Sequence, residues 1–470
     1  MEKGQIIELT VEDMIDDGRA FGRYDGCAVF IDRGVPGDRI KAQVTKAKKS
    51  LCEAKLLDIV IPSEDRRKPL CPHSGSCGGC QLQELTYDAQ KALKERQVRS
   101  KLERLGELEA PVVREIIGAE TLECCRNKAV FAVGPHGEVG FMKRKSHFVI
   151  DIEECIMQTD AAMACAGALR EFLRKTGVRC ISQMTVKTAF GTGEVMAVLE
   201  SNQKEIPQAE LLAELLDDAV YGLGSDNSLE SIAVVHKGRC RILAGKPTIT
   251  EEIIRNSGSC IRYEISPQSF YQVNPEQMTK LYDKAAEYAA LRGGETVLDL
   301  YCGAGTIGIW LLDELRTRSP ETFDGTRVIG IESVKPAIID ANRNSVINGL
   351  VNTRYFCGKA EEELPGMMGL AKLWKWNEVN ERVEREPEIR IDKVDVAVLD
   401  PPRAGCDEAL LEAVVKAEPE RIVYVSCDPG TLARDIKYLT ATGYEFAECT
   451  PVDQFPWTTH IEVVAKIQRR

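Results

Sequence analysis

One stretch, residues 299–308 with the sequence DLYCGAGTIG, limits the folds open to this chain more than any other. A short apolar run before it, Thr-Val-Leu, is typical of a buried parallel strand, and Ile-Gly-Ile-Trp-Leu-Leu begins a helical pattern. Gly303 and Gly305 let the backbone approach a ligand closely, and Gly308 permits tight packing of helix on strand. The stretch therefore predicts the strand–turn–helix corner of a nucleotide-binding α/β sheet.

Two acidic residues help to choose among the ligands that suit such a corner, because the glycine pattern alone fits several nucleotide cofactors. Glu332 ends the next strand candidate, where its carboxylate can accept hydrogen bonds from both hydroxyls of a ribose. Asp299 closes the first strand, where a carboxylate would attract a sulfonium or ammonium group and repel a pyrophosphate. The pair favours S-adenosylmethionine over a dinucleotide, while a capping Asp299 and a surface Glu332 stay open as structural alternatives.

Composition limits the class of protein. At 470 residues, of which 44% are hydrophobic, the chain can form two to four domains with real cores. No apolar run is long enough to span a bilayer and the N-terminus has no apolar signal region, so we expect a soluble cytoplasmic protein without membrane partners. The 17 cysteines are an odd number scattered through apolar segments, unlike a secreted disulfide framework. Some of them should bind a metal or act as a nucleophile.

The charge pattern leaves room for a local nucleic-acid surface. The net charge of −12 and the pI near 5.3 argue against a protein that coats nucleic acid indiscriminately. Two stretches are candidates for a basic face, a helix within 84–106 and the run Lys143-Arg-Lys145, although a solvated helix and a charged turn explain them equally well. The candidate cations of the helix are Lys91, Lys94, Arg96, Arg99, Lys101 and Arg104.

The hydrophobic pattern divides the chain into three predicted domains. Residues 1–60 form short alternating runs between glycine turns, which predicts a small OB-like β-barrel, either a nucleic-acid platform or a purely structural unit. Residues 61–255 predict a mixed α+β domain, in which a helix at 160–175 interrupts short strands. Residues 256–470 alternate strand and helix as a doubly wound α/β sheet requires, with a charged surface excursion at 370–392. The predicted strands of this sheet are 296–301, 327–332, 353–357, 394–399, 421–426, 444–449 and 460–467.

A cysteine-rich loop stands at the start of the middle domain. Cys71, Cys77 and Cys80 have the spacing C-x5-C-x2-C with glycines between them, so one loop can direct three thiolates at a single centre. The best candidate for a fourth ligand is Cys155, and His73 could replace it around zinc. The residues alone leave zinc, an iron–sulfur cluster and incidental thiols open.

Three more side chains that could take part in a reaction lie at or near strand ends, where open α/β sheets bind ligands. Asp400 begins Asp-Pro-Pro-Arg403, whose prolines lack N–H donors and hold the backbone rigid. Cys427 follows an apolar strand and precedes a helix, where a thiol can have a lowered pKa. Glu462 lies early in the last strand. Each residue also has a purely structural interpretation. Asp400 could belong to a stiff exit from a strand, Cys427 could be a buried thiol, and Glu462 could lie on an edge strand.

Together these groups suggest one reaction. Carbon 5 of uracil is a poor nucleophile, but addition of a thiolate at carbon 6 makes an enolate whose carbon 5 can attack a methyl sulfonium. A general base must then remove the proton from carbon 5, so that the thiolate leaves by elimination. Cys427 suits the nucleophile and Glu462 the base, while Asp400 would orient the ring or the cofactor.

Several motifs in this order resemble the RNA 5-methyluridine (uracil-C5) methyltransferase family, of the type with an N-terminal TRAM domain and an iron–sulfur cluster. The resemblance covers nearly the whole chain, from the barrel and the cysteine loop to the glycine corner and the three chemical motifs. It implies a small TRAM barrel, a central α+β RNA-binding domain with the cluster loop, and a Rossmann-like class I methyltransferase domain. The motifs that carry it are Cys125-Arg-Asn-Lys128, Asp151-Ile-Glu-Glu-Cys155, Ser269-Phe-Tyr-Gln-Val-Asn274, Asp400-Pro-Pro-Arg, Ser-Cys427-Asp-Pro and His460-Ile-Glu462.

The resemblance also implies roles for individual residues. Cys427 would be the nucleophile and Glu462 the general base. The helix near 84–106 would pack on the catalytic domain. Two departures from the family pattern are Cys125, where an aromatic residue is expected, and the extra thiol Cys406, which we interpret as incidental. The implied [4Fe–4S] ligands are Cys71, Cys77, Cys80 and Cys155, and the implied S-adenosylmethionine contacts are Gln272, Tyr301, Glu332 and Asp400, beside Asp299, Gly303 and Gly305 of the glycine corner.

The resemblance favours 23S ribosomal RNA as the substrate, with a flipped or single-stranded uridine as the target and a monomeric enzyme. Three alternatives remain. One is a transfer RNA uracil-5 methyltransferase. Another is transfer to an exocyclic amine, which an Asp-Pro-Pro turn also suits, although Arg403 stands where an aromatic residue would stack the base. The third is a non-catalytic RNA-binding module, against which the intact pair of Cys427 and Glu462 counts.

Overall fold

The computed structural model describes residues 1–48, 50–224, 226–376, 382–385, 387 and 389–470. Within these ranges no helix is both long and apolar enough to cross a membrane. In chain order the strands are β1 (Ile6–Met14), β2 (Ala20–Tyr24), β3 (Cys27–Ile31), β4 (Arg39–Ala47), β5 (Leu51–Ile61), β6 (Lys128–Val133), β7 (Val139–Met142), β8 (Val149–Asp151), β9 (Ile181–Thr188), β10 (Glu194–Ser201), β11 (Ser228–His236), β12 (Arg239–Gly245), β13 (Ile249–Ile254), β14 (Cys260–Ile265), β15 (Thr296–Leu300), β16 (Arg327–Glu332), β17 (Thr353–Cys357), β18 (Leu373–Trp376), β19 (Arg382–Arg385), β20 (Val396–Leu399), β21 (Arg421–Ser426), β22 (Tyr444–Val452) and β23 (Glu462–Arg469). The helices are α1 (Tyr87–Arg104), α2 (Asp160–Thr176), α3 (Ala209–Tyr221), α4 (Pro275–Ala289), α5 (Thr306–Arg318), α6 (Pro320–Phe323), α7 (Lys335–Ile347), α8 (Ala360–Met367), α9 (Glu408–Ala417) and α10 (Pro429–Ala441).

The first five strands close into a barrel with the order β1-β2-β3-β5-β4, which confirms the predicted N-terminal barrel. The alternation that predicted it is visible in β4, where Ile40, Ala42 and Val44 are buried and the residues between them are exposed. A buried carboxylate closes the barrel toward the next segment, because Asp38 accepts a hydrogen bond from Val35 N at 2.7 Å and is salt-bridged to Arg66 at 2.6 Å. The barrel thus has its own apolar core, joined to the rest of the chain through a buried ion pair.

The middle of the chain forms a mixed sheet covered by two helices. Its strand order is β12-β11-β10-β9-β6-β7-β8, so β12 and β8 are the two edges. Helices α2 and α3 bury their apolar faces together with this sheet in one core. The side chain of Thr159 accepts a hydrogen bond from Ala162 N at the start of α2, and Gly177 ends the helix in the left-handed conformation at φ 70°.

The C-terminal sheet has the order β17-β16-β15-β20-β21-β23-β22 and is parallel except for β23, which runs antiparallel to both of its neighbours. This is the predicted doubly wound α/β sheet, and its helices cover both faces in two large cores. The parallel strands end at one edge, at Leu300, Glu332, Leu399 and Ser426. Because β23 is reversed, its first residue, Glu462, begins at that same edge.

Helix α1 belongs to the core and is not a basic surface. Its Val98 and Leu102 are fully buried with Leu432 and Ala433 of α10 in the C-terminal domain. Lys94, one of the predicted surface cations, has no exposed surface and is salt-bridged to Asp453 at 2.6 Å. The helix face on which it lies is therefore buried and cannot bind nucleic acid. Other cations of the helix pair with carboxylates of the barrel or of the helix itself, in the pairs Lys91–Asp88, Arg96–Asp13, Arg99–Glu95 and Lys101–Asp16.

Part of the predicted charged excursion at 370–392 lies outside the described residues, namely 377–381, 386 and 388. In the described part, β18 and β19 form an antiparallel pair in which Leu373 lies opposite Arg385.

Candidate active site

The glycine corner is built around a buried carboxylate. Asp299 has no exposed surface, and its Oδ2 accepts a hydrogen bond from Gly308 N at 3.0 Å, which ties the strand to the first turn of α5. Its other oxygen, Oδ1, is buried and has no hydrogen-bond partner among the residues that the structure describes. Burial raises the pKa of Asp299 to about 7. One oxygen of this carboxyl group is thus available to a ligand that brings its own donor or positive charge.

The turn after β15 requires glycine. Gly305 has a φ of 76°, and a Cβ at this position would lie 2.7 Å from the hydroxyl oxygen of Tyr355. Tyr301 also takes a positive φ, 63°, so the backbone bends sharply where the strand ends. The turn contacts the next strand, because Gly303 N donates to Glu332 Oε2 at 3.3 Å. Glu332, the predicted ribose-binding residue, therefore lies directly beside the glycine turn after β15.

A cavity of about 740 Å³ opens at this edge of the sheet. Of the predicted cofactor contacts, Tyr301 and Glu332 line it, together with Gly358 after β17 and Cys406 after β20. Burial raises the pKa of Cys406 to about 12, and its thiol is hydrogen-bonded to Tyr424. The cavity has the position in which doubly wound sheets bind nucleotides.

Gln272, another predicted contact, is buried in a different place. Its main-chain oxygen accepts a hydrogen bond from Asn127 Nδ2 at 2.9 Å, and its side-chain oxygen accepts one from Gln454 Nε2 at 3.4 Å. The motif that contains it is anchored by Ser269, whose hydroxyl donates to Asp340 Oδ2 at 2.6 Å. The structure therefore places Gln272 between the middle domain and the loop before β23, outside the lining of the large cavity.

Cys427 and Glu462 meet because β21 and β23 are antiparallel neighbours. Ser426 lies opposite Val463 in the register, so the residue after the first strand and the residue that begins the second are brought side by side. Asp428 then caps α10, accepting a hydrogen bond from Gly430 N at 2.8 Å. The strand on the other side of β21 is β20, which ends just before Asp400. Three predicted site residues thus share one edge of the sheet.

The charges of these residues act on one another. Burial raises the pKa of Cys427 to about 11, with further contributions from Glu462 and Asp400, and Arg403 opposes the shift. The lowered pKa expected from the sequence is therefore wrong for the free protein, because burial and two nearby carboxyl groups outweigh the effect of Arg403. Burial, and then Asp400, raises the pKa of Glu462 well above its ordinary value. Burial also raises the pKa of Asp400 to about 7, with Asp299 adding to the shift. In the free protein, burial thus disfavours the charged forms of Cys427, Glu462 and Asp400.

Sequence reasoning missed two residues of this cluster, Arg403 and His460. The Arg403 guanidinium hydrogen-bonds the thiol of Cys427 and also contacts His460, with 3.1 Å between Nη2 and Nδ1. Burial and the positive charge of Arg403 lower the pKa of His460 to about 4, so its ring is neutral and can accept this bond. In the sequence, Arg403 stands out only as a departure from an aromatic residue, and His460 only as part of the His-Ile-Glu motif. A cation that follows Asp-Pro-Pro at the shared strand edge was the available signal.

The four candidate ligand cysteines line one cavity of about 90 Å³, which also contacts Arg126. Burial raises the pKa of Cys77, Cys80 and Cys155, and the neighbouring thiols add to these shifts. Gly79 N donates to Cys77 Sγ at 3.4 Å. No disulfide joins these four cysteines. In the described parts of the chain, no three His, Cys, Asp or Glu side chains are arranged around the position of a single metal ion.

Comparisons with known proteins are consistent with this geometry. The family model described as tRNA (Uracil-5-)-methyltransferase matches residues 219–470, and the model of the TRAM domain matches residues 1–57. A protein of Halalkalibacterium halodurans named as an uncharacterized RNA methyltransferase is 38% identical over 100% of this chain and 98% of its own length. One of Caldanaerobacter subterraneus with the same description is 37% identical over 99% of this chain and 98% of its own.

A solved structure resembles nearly the entire fold. It is the Pyrococcus abyssi tRNA (uracil-54, C5)-methyltransferase in complex with S-adenosyl-L-homocysteine. The similarity has a TM-score of 0.72 with 25% sequence identity, and it covers 98% of this chain and 100% of that chain. The barrel, the middle sheet and the C-terminal sheet thus recur together in a methyltransferase that binds a nucleoside cofactor product.

Proposed function

Because the chain belongs to the family of S-adenosylmethionine-dependent RNA uracil-5-methyltransferases, we propose that it methylates carbon 5 of a specific uridine in 23S ribosomal RNA through Cys427 and Glu462. The predicted family, the fold class and the enzyme class are confirmed by the comparisons. The RNA, the uridine and the residue roles are our proposals.

The observation that carries the mechanism is the meeting of Cys427, Glu462 and Arg403 at one buried strand edge. Binding alone gives no reason to place a half-buried thiol beside a buried carboxyl group, since both lose hydration there. A reaction that needs a nucleophile and a base on the same ring does give one. The alternative of a purely RNA-binding protein does not account for this arrangement.

In the proposed reaction Cys427 Sγ, as thiolate, adds to carbon 6 of the uracil, and the ring electrons move to the carbon 4 oxygen. Carbon 5 then takes the methyl group. Glu462 removes the proton from carbon 5, the double bond re-forms, and the thiolate leaves. Arg403 stabilises the thiolate before addition and after elimination, because its guanidinium already hydrogen-bonds this sulfur.

S-adenosylmethionine supplies an electrophilic methyl group when it is bound. The residues present fit this cofactor, because the buried Oδ1 of Asp299 has no partner in the described chain and Gly303 leaves open space where a side chain would stand. We propose that Glu332 and Tyr301 hold the nucleoside. The proposed cofactor contacts also include Asp400, Gly305 and Gln272, the last of which lies outside the lining of the large cavity.

We further propose a [4Fe–4S] cluster on Cys71, Cys77, Cys80 and Cys155. The support is their common cavity, the absence of disulfides among them and the N–H donor of Gly79 beside Cys77. A four-iron cluster binds each thiolate through a different iron, so its ligands need not converge on one ion position. We assign the cluster a structural role, since the methyl transfer requires no electron.

A transfer RNA substrate is the second candidate. It is favoured by the solved structure that resembles this chain, which is a tRNA (uracil-54, C5)-methyltransferase. The proposal of 23S ribosomal RNA rests on the resemblance to those family members that carry an iron–sulfur cluster. The cavity lined by four cysteines supports this resemblance. The relatives named above carry the description RNA methyltransferase without a specified RNA.

We propose the predicted division of labour for the three units, with the barrel at 1–60 and the central domain at 61–255 binding RNA and 256–470 carrying the chemistry. Lys94 and Asp453 support the prediction that the helix near 84–106 packs on the catalytic domain. We also propose that the enzyme acts in the cytoplasm as a monomer.

The test is denaturing electrophoresis after incubation with S-adenosylmethionine and RNA that contains 5-fluorouridine. Fluorine at carbon 5 cannot leave as a proton, so the Cys427 adduct should persist as a slow band of protein plus RNA. We expect the band with 23S ribosomal RNA and its loss in Cys427→Ala, while the exposed thiol variant Cys260→Ala retains it. A band with transfer RNA alone would select the second candidate. Methyl incorporation without any band would contradict the covalent mechanism and favour transfer to an exocyclic amine.

A further inference from the structure

The turn between β7 and β8 exposes an aromatic side chain among cations. Phe148 has 78% of its surface exposed, and Met142 at the other end of the turn has 46% exposed. Lys143 and Lys145 are exposed between them. What distinguishes Phe148 from other exposed rings is its place beside exposed lysines, a combination that suits stacking of a base and binding of its phosphates.

The positive charges of the turn are not neutralised by the protein. Within the residues that the structure describes, no carboxylate is salt-bridged to Lys143, Arg144 or Lys145. This differs from α1, most of whose candidate cations are paired. In a chain with a net charge of −12, two exposed lysines without a salt bridge to any described residue, beside an exposed ring, make a local site for a polyanion.

The turn is held in place by the cysteine loop. Gly78 N donates to the carbonyl oxygen of Met142 at 3.1 Å, and Arg144 N donates to that of Ser76 at 2.9 Å. The turn itself is closed by Lys143 N, which donates to Phe148 O at 2.8 Å. The cations and the ring are therefore presented on a backbone fixed by the segment that carries Cys77.

The turn and the active-site loop contact the same short segment of the barrel. Arg144 Nη2 donates to Asp17 O at 3.2 Å, and Thr459 Oγ1 donates to Asp16 O at 2.6 Å. Thr459 lies three residues before Glu462. Two consecutive barrel residues thus separate the exposed turn from the loop that leads into the proposed general base.

We propose that this turn, residues 142–148, is a contact site for single-stranded substrate RNA beside the target uridine. A base next to the target stacks on the Phe148 ring, and the flanking phosphates bind Lys143 and Lys145. Aromatic rings among cations are the usual means of holding unpaired nucleotides, because every base has a face that can stack. The inference rests on the action on RNA uridine but not on which RNA is the substrate.

The experiment measures binding of the full-length protein to a fluorescein-labelled single-stranded oligoribonucleotide that contains uridines, by fluorescence anisotropy at several salt concentrations. Phe148→Ala should weaken binding by about 5- to 150-fold, the usual range for loss of one stacked base. Lys143→Ala and Lys145→Ala should each lower the slope of log affinity against log salt by about 0.7. The melting temperature should not change, since all three side chains are exposed.

Matched control variants come from the far side of the same domain. Tyr221 at the end of α3 is 84% exposed, and Lys237 occupies a turn at the opposite sheet edge with φ 48°, close to the 54° of Lys145. Tyr221→Ala and Lys237→Ala should bind RNA as the wild type does. Equal affinities for wild type and all turn variants, equal losses in the controls, or no binding by the wild type would overturn the inference. Methyl transfer to 23S ribosomal RNA is measured in a separate assay. That assay tests the proposed substrate, whereas the binding measurements test the role of the turn.

Discussion

The backbone N–H of Leu82 donates a hydrogen bond of 2.9 Å to the carbonyl oxygen of Trp457. Gln81 N donates to the same oxygen at 3.0 Å, directly after Cys80 in the sequence. Trp457 in turn lies five residues before Glu462. The four-cysteine cavity and the proposed general base are therefore connected through one carbonyl group and a short loop.

The side chain of Trp457 strengthens this connection. Its indole Nε1 donates to Leu122 O at 2.9 Å, and the guanidinium of Arg67 lies 5.0 Å above its ring centre. The ring packs with Cys80 and Cys155 of the cysteine cavity in a separate small core. We infer that the structural role of the cysteine site is to fix the loop that carries Glu462.

Trp457→Phe should separate loop positioning from general destabilisation. Loss of the indole hydrogen bond should cost about 1–2 kcal/mol of the free energy of unfolding. Trp310→Phe is the matched control, because it loses a similar bond from Nε1 to Asp283 Oδ1 at 2.9 Å away from the cysteine site. We expect both variants to lose similar stability in urea unfolding, but only Trp457→Phe to form the 5-fluorouridine adduct more slowly with unchanged cofactor affinity. Equal adduct rates in the two variants would contradict this role.

Glu462→Gln should trap the covalent adduct with ordinary uridine. Without the carboxylate, the proton on carbon 5 stays in place after methyl transfer and the Cys427 thiolate cannot leave. We expect turnover to fall by about 10²- to 10⁴-fold while a slow protein–RNA band accumulates without any fluorine. The exposed Glu445→Gln on the neighbouring strand is the control and should turn over normally. Rapid turnover by Glu462→Gln would assign proton removal to another group.

Affinity for S-adenosylmethionine should increase with pH up to about pH 7, the value near which Asp299 and Asp400 titrate in the free protein. Both carboxyl groups have a raised pKa because they are buried, so below that pH a cationic ligand must displace a proton to gain an ion pair. Below about pH 7, the affinity should fall by at most about tenfold for each unit by which the pH is lowered and for each proton that binding displaces. Titration calorimetry in buffers of different ionisation enthalpy would detect proton release, and Asp400→Asn should reduce it. An affinity independent of pH would contradict the proposed contacts.

The same two carboxyl groups should make the free protein less stable as pH rises. A carboxyl whose pKa is raised on folding contributes stability that is fully present below its ordinary value, near 3.8, and is lost as pH rises through about 7. S-adenosylmethionine should remove part of this loss. The check is the melting temperature with and without ligand across this window, in which the stabilising effect of the ligand should be greatest at the upper end.

Cys155→Ser should abolish binding of iron and sulfide. After anaerobic reconstitution we expect the wild type to hold iron and acid-labile sulfide in equal amounts and the variant to hold little of either. Cys124→Ser is the matched control, since this thiol is exposed and lies outside the cysteine cavity. Zinc binding without sulfide in the wild type would contradict the proposed cluster.

Local signals in the sequence predicted the elements that form the site. The apolar run before residue 300 and the glycines after it fix a strand and its turn without help from distant residues, and the structure has β15 and α5 there. The same holds for the strand before Cys427 and for the barrel strands. Such short patterns succeed because burial on a sheet depends on the period of neighbouring residues.

The sequence could not show which side chains become partners across long separations. Lys94 is a cation on a helix rich in cations, and only the fold reveals that it is buried against Asp453, more than three hundred residues away. Arg403 and His460 are likewise 57 residues apart. Their contact depends on β23 returning antiparallel beside β21, which the hydrophobic pattern does not encode.

Lys94→Met should be the most destabilising of the charge variants on α1. Its Nζ is 2.6 Å from Asp453 Oδ1, neither side chain is exposed, and Tyr87 donates to the other oxygen of Asp453 at 2.9 Å. Removing the lysine leaves a buried carboxylate with a hydroxyl as its remaining side-chain partner, which should cost about 3–5 kcal/mol. The matched variant Lys91→Met breaks the exposed pair with Asp88 and should cost less than about 1 kcal/mol. Urea unfolding measures both changes.

The double variant Lys94→Met with Asp453→Leu should recover most of the lost stability, because it leaves no unpaired charge. Similar losses of stability in the single and the double variant would show that the pair acts through packing alone.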